Sequence, residues 1–167
     1  MVNFLNINTK SLLRRNKSLR GSIPYKEATK VGIVFTVEDK QKHEQIKDLI
    51  KKLEHDNKKV NVICFLPRDK QNYEFLFDFF TEKEVSFWGN LTSPTALKFS
   101  DISFDYLYYL DTEPNSLILN LLARSKAKCR LGSFWEDGHN FLEFMIENKN
   151  GTKGLIDGLH KYSSLLK

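Results

Sequence analysis

Two cysteines, Cys64 and Cys129, are the only ones in the 167 residues. They form no Cys-x-x-Cys pair, and no histidine stands near either at ligand spacing. That excludes a disulfide framework and a cysteine-based zinc site. Each lies in an apolar run, so both are expected as buried free thiols, which suits a reducing compartment. No stretch approaches the roughly 18 apolar residues of a membrane helix. Met1 to Asn8 lacks the basic-then-apolar order of a secretory signal. A cytoplasmic protein with no transmembrane segment is expected.

The nucleotide and hydrolase signatures are missing as well. Val37-Glu38-Asp39-Lys40 stands where a GxGxxG loop would follow the first strand. There is no GxxxxGK[ST], no GxSxG and no HExxH. No cofactor and no metal are therefore expected. The chain also has no internal repeat and no low-complexity tract.

What is present points to one globular domain. The length suits a single unit that can bury a core unaided. Hydrophobic residues make up 41% of the chain, with thirteen Phe and six Tyr for large core contacts. The net charge of +5 is uneven. Residues 1–30 hold seven bases (Lys10, Arg14, Arg15, Lys17, Arg20, Lys26, Lys30) against Glu27 alone. The remaining residues hold 19 bases and 20 acids. The basic character belongs to an N-terminal segment.

Residues 3–20 read as a helix with Leu5, Leu12, Leu13 and Leu19 as its apolar stripe, broken by Gly21 to Pro24. Residues 1–24 are thus expected to be a basic helix and linker, and residues 25–167 a single α/β domain. Val31 to Val37 is a nearly continuous apolar strand, as in a sheet covered on both faces. Lys40 to Asp56 follows as a helix, with Ile46, Leu49, Ile50 and Leu53 at helical spacing. Val60 to Leu66 is the next strand, completing a βαβ unit with parallel strands. Tyr73 to Phe80 is too densely apolar to show a period. Val85 to Trp88 reads as a short strand and residues 90–102 as a loop with some local structure. Phe104 to Leu110 is a strand. A helix begins after it, capped by Thr112 or Glu113 with Pro114 in its first turn. Lys128 to Leu131 and Phe141 to Ile146 are further strands, and Thr152 to Leu166 a final helix. Strands alternating with helices give a three-layer, Rossmann-like α/β domain with a mainly parallel sheet and an extra N-terminal helix.

In such sheets ligands sit beyond the carboxyl ends of the strands. That rule selects Thr36, Glu38 and Asp39 after the first strand, and Arg68 and Asp69 after the second. Asp111, Glu113, Asn115 and Ser116 follow the fourth strand; Ser133, Trp135, Glu136, Asp137 and His139 follow the fifth. A helix start at Asp111 to Ser116 offers free N–H groups to an anion, although acidic residues already occupy that end. The Trp135 to His139 loop combines an aromatic ring, two carboxylates and an imidazole, a set suited to acid–base chemistry or stacking. The ordinary structural readings are a capped helix and a surface loop with a packed tryptophan. His43, His55 and His160 fall among lysines on helices and read as solvated. Arg14, Arg15, Lys17 and Arg20 are the candidates for meeting a partner. Nucleic acid is the less favoured one, since aromatic residues are absent between Phe4 and Tyr25. A helix packed on the domain with a solvated basic face is the structural alternative.

Phe104-Asp105-Tyr106-Leu107-Tyr108-Tyr109-Leu110-Asp111, the Asn115-Ser116-Leu117 helix start and Ala123 to Gly132 resemble the N-terminal half of heptosyltransferase-type glycosyltransferases. The same order of strand, helix and Ala-Lys-x-x-x-Gly resembles a small family of uncharacterised bacterial proteins. The transferase resemblance implies a Rossmann-like fold. It also implies a glycine-and-aspartate loop after the first strand and a second domain for a nucleotide sugar. Thr36-Val37-Glu38-Asp39 replaces that loop, and the chain is too short for the second domain. The expectation is therefore a non-catalytic binding or scaffold protein, with an unknown protein partner or self-association as a homodimer. The alternative is an enzyme or sensor for a sugar or nucleotide at the carboxyl ends of the strands.

Overall fold

The computed structural model describes residues 3–73 and 77–167. Its elements run α1 (Phe4–Asn16), β1 (Lys30–Thr36), α2 (Lys40–His55), β2 (Lys59–Phe65), β3 (Asp78–Phe80), α3 (Pro94–Ser100), β4 (Tyr106–Tyr109), α4 (Ser116–Arg124), β5 (Cys129–Ser133), β6 (Phe144–Ile146) and α5 (Gly151–Ser163). All pairings are parallel, and the strand order is β3-β2-β1-β4-β5-β6. The sheet grows outward in one direction from β1 and in the other from β4. Between them lies the topological switch point, where a Rossmann-like sheet opens its ligand crevice.

The strands alternate their side chains between two cores. Val31, Ile33 and Phe35 of β1 pack with Ile46, Leu49 and Leu53 of α2 and Leu155 and Leu159 of α5. Val34 faces the other way, with Ile63, Leu107, Phe99 of α3 and Ile118 and Leu121 of α4. Gly32 is required on that second face: a Cβ there would come within 2.8 Å of Leu107 Cδ1 and Phe104 Cε2. Both cysteines are buried free thiols, as expected. Burial pushes both thiols up to about 12.

Helix α2 begins at Asp39, whose carboxylate accepts from Lys42 N at 2.7 Å. It ends at Asn57, which takes φ 63° and lets Lys58 N reach Leu53 O. Helix α1 packs against α4. Leu12 is buried there, Asn120 donates to Asn8 and Thr9, and Asn16 donates to the Ala123 and Arg124 carbonyls. A 3-10 turn at Lys17–Leu19 follows, and Arg20 then donates to the carbonyls of Ser125, Ala127, Leu122 and Ala123. A guanidinium thus helps to serve the carbonyls at and beyond the end of α4, which the helix itself leaves without donors.

Several expectations need correction. Val85 to Trp88 is not a strand: Val85 makes one isolated bridge with Leu91, and Phe87 and Trp88 lie in a turn, 80% and 63% exposed. The edge strand is Asp78–Phe80, three residues long. Residues 74–76 of the Tyr73–Phe80 segment lie outside the described residues. The loop expected over residues 90–102 contains α3, started by the Ser93 hydroxyl and Pro94. Asn115, not Thr112 or Glu113, caps α4: its Oδ1 accepts from Leu117 N and Ile118 N. Pro114 therefore precedes the cap. His43 is buried rather than solvated, and His160 Nε2 lies 3.2 Å from Asp56 Oδ2.

Candidate functional site

Parallel register carries β1 and β4 forward together, Val34 opposite Tyr109, so Thr36 and Asp111 emerge side by side at the switch point. Asp111 turns back onto β1. Its Oδ1 accepts from Thr36 N at 2.8 Å and its Oδ2 from the Thr36 hydroxyl at 2.6 Å. Lys42, one turn into α2, reaches the same carboxylate, with Nζ 2.8 Å from Asp111 Oδ1 and 2.8 Å from Glu38 Oε1. Side-chain exposure is 2% for Lys42 and 4% for Asp111. Two groups buried that deeply need each other and these donors to offset the loss of water. The groups that would face a ligand here face one another instead. Above them is a cleft of about 250 Å³ bordered by Gln41, Gln45, Asn150 and Lys153.

The remaining carboxyl-end candidates do not join this cluster. Tyr109 holds the start of α4, donating to Glu113 O and accepting from Asn115 N. Burial, with Asp111 beside it, raises the Tyr109 hydroxyl above its ordinary range. Asn115 is spent on its cap, and Glu113 and Ser116 are exposed. Arg68 is 78% exposed and pairs with Glu82 across the β2–β3 end. Trp135 is half-buried against Phe141 at 6.1 Å. Asp137 is exposed. His139 lies elsewhere, in a cleft of about 500 Å³ shared with Leu13, Arg14, Lys17, Arg20, Arg130 and Glu143.

Of the partner candidates, Arg14, Arg15 and Lys17 are exposed and Arg20 is turned inward to α4. Sequence reading missed a second surface at the other end of α1. Phe4 packs on Phe87 and Trp88, with ring centroids 5.8 and 5.1 Å away. Ile7 beside them is 57% exposed. Gly89, at φ 75°, lies directly against the Phe4–Leu5 backbone, and Asn8 donates to Asn90 at 2.9 Å. The turn is thereby fixed to the helix and the two rings project outward. The available signal was Trp88-Gly89-Asn90, a turn sequence that argues against a strand.

Among the described residues, no group of three His, Cys, Asp or Glu side chains is placed to hold a metal ion. Among them, too, no helix is long and apolar enough to cross a membrane.

Order and crevice define a Rossmann-like α/β domain whose switch point is occupied by its own ion pair. The chain belongs to a family of unknown function, DUF6913, whose model matches residues 2–166. No curated protein and no solved structure matches it.

Proposed function

We propose that the protein is a non-catalytic binding protein. The Rossmann-like sheet acts as a rigid platform, and α1 with the Ser86–Asn90 turn acts as the docking element. The observation that carries this reading is the exposure of Phe87 and Trp88, 80% and 63%, on a turn clamped to α1. Aromatic rings held rigidly in water lose little entropy on docking, and such patches mark protein contact surfaces. Arg14, Arg15 and Lys17 extend the surface with exposed positive charge, which favours a partner carrying acidic groups around an apolar centre.

The closed switch point supports the same reading. Thr36, Lys42 and Asp111 satisfy one another, so a sugar or nucleotide entering there displaces a buried ion pair. The β4–α4–β5 resemblance to heptosyltransferase-type transferases bears on scaffold ancestry, since Thr36 to Asp39 lacks their glycine loop.

The test is affinity capture with the intact chain and with Phe87→Ser/Trp88→Ser, both shown to be folded. Exposed positions of this kind change stability by only about 0.5 kcal/mol. Partners retained by the parent and lost by the variant are expected. Identical retained sets, or saturable binding of a nucleotide sugar that depends on Thr36, contradict the reading.

A further inference from the structure

The cleft beside the C-terminal end of α1 joins residues more than a hundred positions apart. The buried Arg130 and half-buried Arg20 form its floor, and the exposed Arg14, Lys17 and His139 its wall. Among the described residues Glu143 is the one carboxylate lining it, and it is already engaged. It accepts from Arg130 Nε at 3.0 Å, Nη2 at 2.6 Å and the Arg130 backbone N–H at 2.8 Å. Four cations against one carboxylate leave three positive charges.

The floor and the wall do different things. Arg130 is 3% exposed and Arg20 is half-buried, and most of their N–H groups are used on Glu143 and the α4 carbonyls. They supply a fixed positive field. Burial, with the neighbouring charge of Arg130, lowers the Arg20 pKa to about 10. Arg14 and Lys17 are exposed, and their side chains have no hydrogen-bond or ion-pair partner among the described residues. They, with His139, supply free donors.

We infer that this cleft is a binding site for a small soluble ligand bearing a diphosphate or similar polyphosphate group. Such a group carries about three negative charges near neutral pH. It also offers many acceptor oxygens to planar guanidinium and ammonium donors. A single carboxylate leaves most of the charge unmatched. A nucleic-acid backbone needs cations strung along a stripe, whereas these converge on one hollow of small-molecule size. Leu13 gives an apolar surface for the non-phosphate part of the ligand.

The site lies at the opposite end of α1 from Phe87 and Trp88. Arg14 and Lys17 belong to both surfaces, but docking is carried by Phe87 and Trp88, so failure here leaves it standing, and failure of docking at the two rings leaves this site standing.

Calorimetric titration of the intact chain with inorganic pyrophosphate tests it. One-to-one saturable binding is expected, weakened by about tenfold or more in Arg14→Ala/Lys17→Ala. Arg15→Ala removes the same kind of charge from α1 outside the cleft and is expected to change affinity by less than about twofold. Circular dichroism of each variant excludes unfolding as the cause. Three results overturn the inference: no saturable heat at millimolar pyrophosphate, equal loss in Arg15→Ala, or tighter binding of a single-stranded oligonucleotide that Arg15→Ala also weakens. The last outcome marks a nucleic-acid stripe.

Discussion

Lys42 Nζ and Asp111 Oδ1 stand 2.8 Å apart, both almost wholly buried, at the point where the sheet reverses its direction of growth. Their mutual dependence is large because neither charge has water to fall back on. Lys42→Met leaves Asp111 without its charge partner, and a cost of about 3–5 kcal/mol is expected. Lys42→Met/Asp111→Leu removes both charges and is expected to cost less than the sum of its single variants. Urea unfolding measures all three. A Lys42→Met protein within about 1 kcal/mol of the parent contradicts a desolvated pair.

Asp105 does for the amino end of β4 what Asp111 does for the carboxyl end. It accepts from Thr29 N, Lys30 N and Lys128 Nζ at 2.9, 3.0 and 3.0 Å. Burial alone would raise its carboxyl, but these donors outweigh it and hold the group below the usual range. A depressed carboxyl stabilises the fold above its unfolded value of 3.8, and the contribution is lost as pH falls through the folded value. Asp105→Asn is expected to be less stable at neutral pH and to lose less further stability on acidification below that value. Unfolding curves recorded across pH 2–5 (roughly the carboxylate range) check this; parallel curves for parent and variant contradict it.

His43 has the opposite sign. Its ring packs among Phe35, Tyr73 and Phe77 at 5.2 to 5.7 Å, and its Nε2 is buried without a well-formed hydrogen bond. Burial lowers its basicity from 6.5, an effect opposed by its contact with the Asp39 carbonyl and reinforced by nearby Lys47 and Lys42. The unfolded chain therefore binds a proton that the folded one refuses. Stability is expected to fall as pH drops below 6.5. His43→Leu is expected to flatten that slope. Melting temperatures on both sides of neutrality decide it, and an unchanged slope places the titration elsewhere.

Cys64 and Cys129 are 0% and 2% exposed, and burial raises both thiols to about 12. Neither is expected to react with a disulfide reagent in the native state at neutral pH, and both are expected to react once the chain unfolds. A fast native-state reaction with either thiol contradicts the packing described for the first core.

Much of this architecture is readable from period and length alone. β1, α2 and β2 are long enough for their patterns to declare themselves, as is the apolar face of α4. The carboxyl-end rule brought out Thr36 and Asp111 before their contact was known. α3 escaped because seven residues hold too few turns for a stripe, although Ser93-Pro94 marks its start. Phe87 and Trp88 were misread because apolar residues on an exposed turn imitate a strand. His43 was misread, and Lys42 passed over, because neighbouring lysines masked their spacing. Position 43 lies three residues before Ile46, and 42 lies four before it, so both fall on the buried face of α2. The cleft was unreadable as a unit, because Arg14 and His139 meet only through the packing of α1 on α4 and the crossing from β5 to β6.

If the ligand-facing surface lies along the α1 flank and the switch point is closed, one titration separates the two places. Backbone amide resonances of the intact isotope-labelled protein, followed as pyrophosphate is added, are expected to shift at Arg14, Lys17, His139 and Asn140. Those of Thr36, Lys42 and Asp111 are expected to stay in place. Shifts concentrated at Thr36, Lys42 and Asp111, with the α1 flank unmoved, contradict the account.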